Sequence, residues 1–267
     1  MNKIILIKLG GSVITDKSKP YTARPEIIRK LALEIKICWG KGYRFLISHG
    51  SGSFGHTSAV KYGTAEGIKN KDDVFGLAVV QQDALAINRI VNEIFLKKGL
   101  PVLSFVPSSF TLANDKKLFK IFTEPIIEAL KINALPLVFG DVILDEEKGS
   151  CIFSGETTLD NLISPLIKAG FIIKKVIQCG NTDGVYDERG KTIPLITRQS
   201  FSKLEKQISG PSSIDVTGGM IHKIEESLKM AEKGIDSFII NGERENNLLD
   251  TIFGDVNFGT KITKWQQ

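Results

Sequence analysis

Short, continuously apolar runs separated by stretches of helical periodicity constrain this chain more than any other feature. Residues 3–9, 43–48, 101–106, 135–139, 175–179 and 236–240 are rich in Ile, Val, Leu and Phe, several without polar alternation. Strands read this way when both of their faces are covered, as in parallel sheets flanked by helices. Between them the period changes to that of a helix. Ile27, Leu31 and Ile35 recur every four residues, and that helix is expected to close at Trp39-Gly40. Residues 72–98 hold apolar positions at helical spacing up to Lys97-Lys98-Gly99, a cationic last turn followed by glycine. Thr123 stands as N-cap to 124–131, with Pro125 in the first turn. Residues 158–169 and 217–233 stop before Gly170 and Gly234, as C′ glycines suggest. The alternation predicts an α/β fold, an open αβα sandwich with a mainly parallel central sheet. One interruption, 142–145, a turn at 146–149 and 150–153, reads as an inserted β-hairpin. Residues 189–211 are polar and irregular, a loop over a site or a seam between subdomains. With 267 residues and no low-complexity linker, the expectation is a single domain over 1–267 whose halves flank a cleft.

Composition excludes more than it assigns. Cys38, Cys151 and Cys179 are odd in number and widely spaced, and no C-x-x-C pair occurs, which argues against zinc modules and a disulfide framework and fits a reducing cytoplasm. No uninterrupted apolar run approaches the roughly 18 to 20 residues of a membrane span. The net charge of +5 comes from Lys and Arg scattered beside acids, with neither a basic tail nor an aromatic ladder, so nucleic acid is not the expected partner. The remaining use for excess cations is an anionic small molecule, and that depends on where particular lysines fall.

Several lysines fall beside glycines. The first strand ends in Lys8-Leu9-Gly10-Gly11-Ser12, with Lys17 nine residues beyond Lys8. Paired glycines let a backbone pass close to a ligand and aim amides at an anion, although a tight turn with a solvated lysine reads the same way. The second strand runs into His49-Gly50-Ser51-Gly52-Ser53-Phe54-Gly55-His56, whose Gly50, Gly52 and Gly55 satisfy G-x-G-x-x-G. The dinucleotide fingerprint also needs an acid on a second strand about 20 residues on, and the polar stretch 67–73 offers no strand. Nest-like amides beside an imidazole suit a phosphate monoester instead. His56 is the functional candidate, and His49, at the strand end, is expected to be a satisfied structural residue. Ser154-Gly155-Glu156 follows the hairpin and reads as a turn and cap; 181–187, containing Asp183, Gly184 and Tyr186, lies at a strand's carboxyl end, where α/β sheets bind ligands. In Asp215-Val216-Thr217-Gly218-Gly219-Met220-Ile221-His222-Lys223, Asp215 or Thr217 can cap the helix and Lys223 falls in its opening turns. A lysine near a helix N-terminus is unfavourable unless an anion sits nearby. Phe75, Val79 and Leu85 are candidates for an apolar pocket wall, with core packing an equal explanation.

There is no Walker A pattern and no kinase His-Arg-Asp loop. The run from Lys8 to Lys17, Gly50 to His56, Gly140-Asp141, Asp183 to Tyr186 and Asp215 to Lys223 together resemble the amino acid kinase superfamily, in order and over nearly the whole chain. Within it the chain is similar to the kinases of isopentenyl phosphate, His56 being the most discriminating position. The resemblance implies a homodimeric sandwich that moves the γ-phosphoryl of ATP, with Mg2+, onto isopentenyl phosphate. It implies that His56 holds the acceptor phosphate and that Lys8, Lys17 and Lys223 neutralise the transferring group. Amide donors would come from Gly10, Gly11 and Ser12 and from Gly50, Ser51, Gly52 and Gly55, with Gly155 and Glu156 completing the acceptor side. Asp183, Gly184, Tyr186, Gly218 and Gly219 would line the nucleotide, in a C-terminal half from about 171 facing an acceptor half up to about 170. Two positions depart from the family pattern: Ser51 replaces a glycine, which strains the turn if it needs a left-handed residue there, and Glu156 replaces an aspartate expected to organise the lysines. Other acceptors on the same fold (a phosphonate antibiotic, an amino acid, UMP) and a non-catalytic nucleotide or anion sensor are the competing readings.

Overall fold

The structure, a computed structural model, describes residues 2–64, 67–202, 219–254 and 258–264. Twelve strands among these form two sheets. The larger comprises β1 (Lys3–Leu9), β2 (Phe45–His49), β3 (Val102–Ser104), β6 (Leu135–Phe139), β9 (Ile172–Gly180), β10 (Leu195–Ile196), β11 (Ser237–Asn241) and β12 (Gly259–Ile262). Its order is β10-β12-β11-β9-β1-β2-β6-β3, parallel except where β11 meets β12. The smaller sheet joins β4 (Thr111–Asn114), β5 (Lys117–Ile121), β7 (Asp141–Asp145) and β8 (Gly149–Phe153) in the order β5-β4-β7-β8.

Strand pleating sorts the side chains of β1 onto two cores. Ile5, Ile7 and Leu9 face one cluster, packed by α2 (Pro25–Gly40), α4 (Lys71–Lys97) and α8 (Asn247–Phe253) through Leu31, Val91 and Leu248. Ile4 and Leu6 face the other, packed by α5 (Glu124–Lys131), α6 (Gly155–Lys168) and α7 (Gly219–Glu232) through Leu130, Leu162 and Met230. The layered α/β architecture expected from the alternating pattern is therefore present. Lys8 continues the Ile4–Leu6 row, so its side chain emerges from the apolar core at the carboxyl end of a central strand. Two short helices, α1 (Gly11–Ile14) and α3 (Gly52–Tyr62), begin at that same end, after β1 and β2.

The inserted hairpin is β7 and β8, as read. β4, β5, β10 and β12 are not among the strands expected from the sequence, and residues 50–56, expected as a loop, hold the start of α3 at Gly52. Thr123 precedes α5 as expected but makes no side-chain cap bond. α6 starts at Gly155, three residues before the expected 158. Asp215, Thr217 and Gly218 lie outside the described residues. The three cysteines are unpaired and buried, with burial pushing the thiols of Cys38 and Cys179 up to about 12. One helix among the described residues, α4, is long and apolar enough to cross a membrane by length and composition. Here it buries a single stripe, including Val80, Ala84, Ile87 and Val91, and opens with a capping box between Asn70 and Asp73.

Candidate active site

The turns that follow β1, β2 and β6 are tied together across the sheet. Gly10 N–H donates to Cys179 O at 2.8 Å, Gly50 N–H to Leu9 O at 3.0 Å and Gly140 N–H to His49 O at 2.9 Å. The first two turns also interlock directly. A Cβ on Gly11 would lie 2.7 Å from the Gly52 backbone, and one on Gly50 would lie 2.9 Å from Gly11 N. Only backbone fits between them. Gly52 alone in this turn is left-handed, at φ +53. Ser51 adopts φ −75 and ψ −15, so the strain expected for a serine here does not arise. Its hydroxyl instead donates to Gly140 O at 2.8 Å, and Gly55 makes room for its Cβ.

On this platform a cavity of about 290 Å³ opens between α3, α4 and the β7–β8 hairpin. Lys17, His56, Gly11, Gly50, Ser51, Gly52 and Gly55 line its polar end, together with Gly155 and Glu156. His56 is exposed, on the second turn of α3, and the first amides of a helix have no intrahelical acceptor. The other end is apolar: Ala59, Val80, Ala84 and Ile152. The wall thus comes from α4, as expected, but from Val80 and Ala84. Phe75, Val79 and Leu85 do not line it, and Phe75 points to solvent.

A second cavity, about 210 Å³, lies beyond Ser154 and Glu156 and holds Lys8, Gln178 and Lys223. Glu156, in the first turn of α6, forms an ion pair with Lys8, whose side chain is 8% exposed against 20% for the glutamate. Burial pushes the Glu156 carboxyl up; the charge and hydrogen bond of Lys8, with the charge of Lys223, outweigh this and hold it below the usual carboxylate range. Glu156 therefore pairs with Lys8 and feels the charge of Lys223 despite its extra methylene. Ser48 Oγ donates to Gly155 O at 2.7 Å, and the cap bond from Thr157 N–H to Ser154 Oγ at 3.0 Å fixes the start of α6.

The depressed carboxyl has a stability consequence with a definite sign. A group whose folded pKa lies below its unfolded value, about 4.3 for Glu, contributes stability above that value and loses it as pH falls through the folded pKa. Glu156→Gln is expected to cost about 1–3 kcal/mol at pH 7, because Lys8 is left partly buried without its partner. Urea melts from pH 7 down to about 3 should show the wild-type advantage shrinking below about pH 4. A gap independent of pH would refute an ionised Glu156.

His49 is fully buried and stacked on Phe139 with centroids 5.5 Å apart. Its ring nitrogens lie 3.1 Å from Gly50 O and from Asn88 Oδ1, and burial lowers its pKa; it is a buried structural residue, as expected. Gly10 and Ser12 shape the turn without lining either cavity. Asp183 accepts from Asn241 at 3.0 Å and pairs with Arg244 at 2.9 Å, and Tyr186 OH accepts from Asp183 N–H. With Gly184 packed against Thr260, this loop also lies outside both cavities. Gly219 opens α7, which carries Lys223.

One residue was missed, and a second, Asp141, was named only within the family motif and given no role. Gln178, beside Lys8 in the β1–β9 register, donates to Ser227 Oγ at 2.9 Å while its buried Oε1 has no partner. A glutamine inside the run Val176-Ile177-Gln178-Cys179 was the available signal. Asp141 is buried at the first cavity and accepts from Ser108 N–H at 3.0 Å; burial raises its pKa.

The amino acid kinase family model matches residues 3–241. Isopentenyl phosphate kinase of Methanocaldococcus jannaschii is 33% identical over 97% of this chain and 98% of its own length. That of Methanothermobacter thermautotrophicus is 34% identical over 97% and 99%. An X-ray structure of an isopentenyl phosphate kinase superposes with a TM-score of 0.81 at 29% identity, covering 97% of this chain and all of the other. Lysines clustered around one carboxylate beside glycine turns suit phosphate groups, and together with these likenesses they place the chain in the isopentenyl phosphate kinase branch of the amino acid kinase family, a family of ATP-dependent phosphotransferases.

Proposed function

We propose that the protein transfers the γ-phosphoryl group of ATP to isopentenyl phosphate, giving isopentenyl diphosphate and ADP. The observation that carries this reading is one cavity with His56 and Lys17 at a polar end and Val80, Ala84 and Ile152 at an apolar end. That is the polarity of a short hydrocarbon phosphate. In this reading His56, Lys17 and the amides of Gly50 to Gly55 hold the acceptor phosphate, and the apolar end takes the isopentenyl tail. ATP lies on the other side of Ser154–Glu156, its phosphates against Lys8 and Lys223, so that the acceptor half and the nucleotide half meet at Glu156.

Phosphoryl transfer through a loose transition state needs alignment and charge neutralisation rather than covalent catalysis. A phosphate monoester is already ionised near pH 7, so no general base is required. The obstacle is repulsion between two polyanions brought within roughly 3 to 3.5 Å for in-line attack. Lys8 and Lys223 offset it from the nucleotide side and Lys17 from the acceptor side. Mg2+ would ride on the nucleotide phosphates and neutralise charge there, because Glu156 is engaged with Lys8 and the described residues bring no three metal-ligating side chains together. The protein acts as a homodimer in this proposal, as its family resemblance implies.

Incubation with Mg-ATP and a panel of isopentenyl phosphate, a phosphonate antibiotic, an amino acid and UMP tests the assignment by 31P NMR and ADP release. Diphosphate formation from isopentenyl phosphate alone is the expected result, and turnover of another acceptor in its place sinks the assignment. ATP binding without turnover of any acceptor points to a sensor. His56→Ala should lower kcat/KM for the acceptor by about 10- to 100-fold, the worth of a charge-assisted hydrogen bond, while KM for ATP stays within about twofold. Equal losses for both substrates would remove His56 from the acceptor site.

A further inference from the structure

We propose that a basic cavity at the amino ends of β9, β1 and β2 binds a small diphosphate-bearing molecule, at a site separate from the kinase cleft. The cavity measures about 370 Å³, within the range of ligand pockets. Its cations come from three adjacent strands and one turn: Lys174 and Lys175 on β9, Lys3 on β1, Arg44 at the start of β2, and Lys41 after α2. Among the described residues, no carboxylate lines it. Ligands of α/β sheets normally gather at the carboxyl ends of the strands. Lys3 lies at the other end of β1 from Lys8, about 17 Å away at the rise of a β-strand.

Cations at this end of a parallel sheet have one ordinary use, because helix carboxyl ends arrive there with unsatisfied carbonyls. That use accounts for two of the five. Lys175 donates to Thr251 O and Gly254 O at the end of α8, and Arg44 donates to Leu130 O at 3.2 Å near the end of α5. Lys41 lies over the Phe253 ring at 4.5 Å, with its ammonium still open to an anion. Lys3 and Lys174 are exposed and have no partner among the described residues. Elsewhere on the same sheet a lysine is answered by an acid, as Lys261 is by Asp236 at 3.2 Å. Here three cations line one cavity with no acid against them among the described residues.

The ligand class follows from spacing. Three neighbouring strands cover about 10 Å, which suits two bridged phosphates better than one. Tyr43 and Phe253, edge to face at 5.6 Å, supply an apolar wall for whatever the diphosphate carries, a nucleoside or a hydrocarbon tail.

Lysine acylation of the full chain, read residue by residue by mass spectrometry, tests this independently of catalysis, since occupancy of the kinase cleft registers on Lys17 and Lys223. Inorganic pyrophosphate, ADP and isopentenyl diphosphate are the probes, at matched ionic strength. At a probe concentration about ten times Kd, the reactivity of Lys3, Lys41 and Lys174 should fall about tenfold, with Lys97 and Lys117 unchanged. Protection by all three probes assigns recognition to the diphosphate alone; protection by only one of the two organic probes names the source. In Lys3→Ala/Lys174→Ala, which alters only exposed side chains, protection of Lys41 should disappear while the melting temperature holds. No protection by any probe, equal protection of Lys97 and Lys117, or persistent protection of Lys41 in the variant overturns the site. Protection by phosphatidylserine vesicles but by none of the three probes overturns it in favour of a membrane surface.

Discussion

Replacing Lys8 with alanine is expected to lower kcat by about 100-fold or more while KM for ATP changes by only a few-fold. The asymmetry follows from where the ammonium is held. Lys8 sits at the end of a buried strand, between β9 and β2, and Glu156 fixes its direction. A charge placed so rigidly needs no reorganisation as the reaction proceeds, so its benefit is greatest where negative charge is redistributed. Alanine also strands the Glu156 carboxylate beside incoming phosphates, adding repulsion to the lost attraction. The double variant Lys8→Ala/Glu156→Gln should therefore be faster than Lys8→Ala, and the cycle reports their coupling. A raised KM with unchanged kcat in Lys8→Ala would confine Lys8 to ground-state binding.

Gly52→Ala is expected to destabilise the protein by about 2–5 kcal/mol and to lower Tm by roughly 5–15 °C. Two penalties add. A left-handed alanine is strained, and its Cβ would lie 2.0 Å from Thr15 Oγ1 and 2.8 Å from Gly11 O. Thr15 cannot withdraw cheaply, since its hydroxyl donates to Gly11 O at 2.7 Å and accepts from Ser53 N–H at 2.9 Å. Ser51→Gly is the matched control: it removes one hydrogen bond from a residue with ordinary dihedrals and should cost about 1 kcal/mol. Thermal melts of the two variants that fall within a degree of each other would contradict the interlocked turns.

What could be read before the structure was known divides along physical lines. β1 and β6 matched their apolar runs residue for residue, because strands buried on both faces leave a continuous signal. β5 did not: all but one of its residues are exposed, so burial imposed no pattern on Lys117–Ile121. The glycines after β2 read as a loop, whereas packing against Gly11 and Thr15 lets a helix start at Gly52. On α4 the period announced a buried stripe, but periodicity does not say which residues meet a ligand. Val80 and Ala84 became pocket wall because the β7–β8 hairpin closes over that part of the stripe. Lys8 and Lys223 were legible as unusual charges beside turns, and Glu156 only through the family resemblance. Their convergence needed the strand order, which places distant segments side by side.

The two cavities share a wall: Ser154 and Glu156 line both. An inhibitor need not choose between them. On the proposed assignment of the two cavities, a compound joining a hydrocarbon tail to an adenosine through a short polyphosphate bridge would span the wall, pass beside Lys8, and occupy both sides in one binding event. The second contact would then be intramolecular, at an effective concentration in the millimolar range or above, so its affinity would exceed that of either fragment alone.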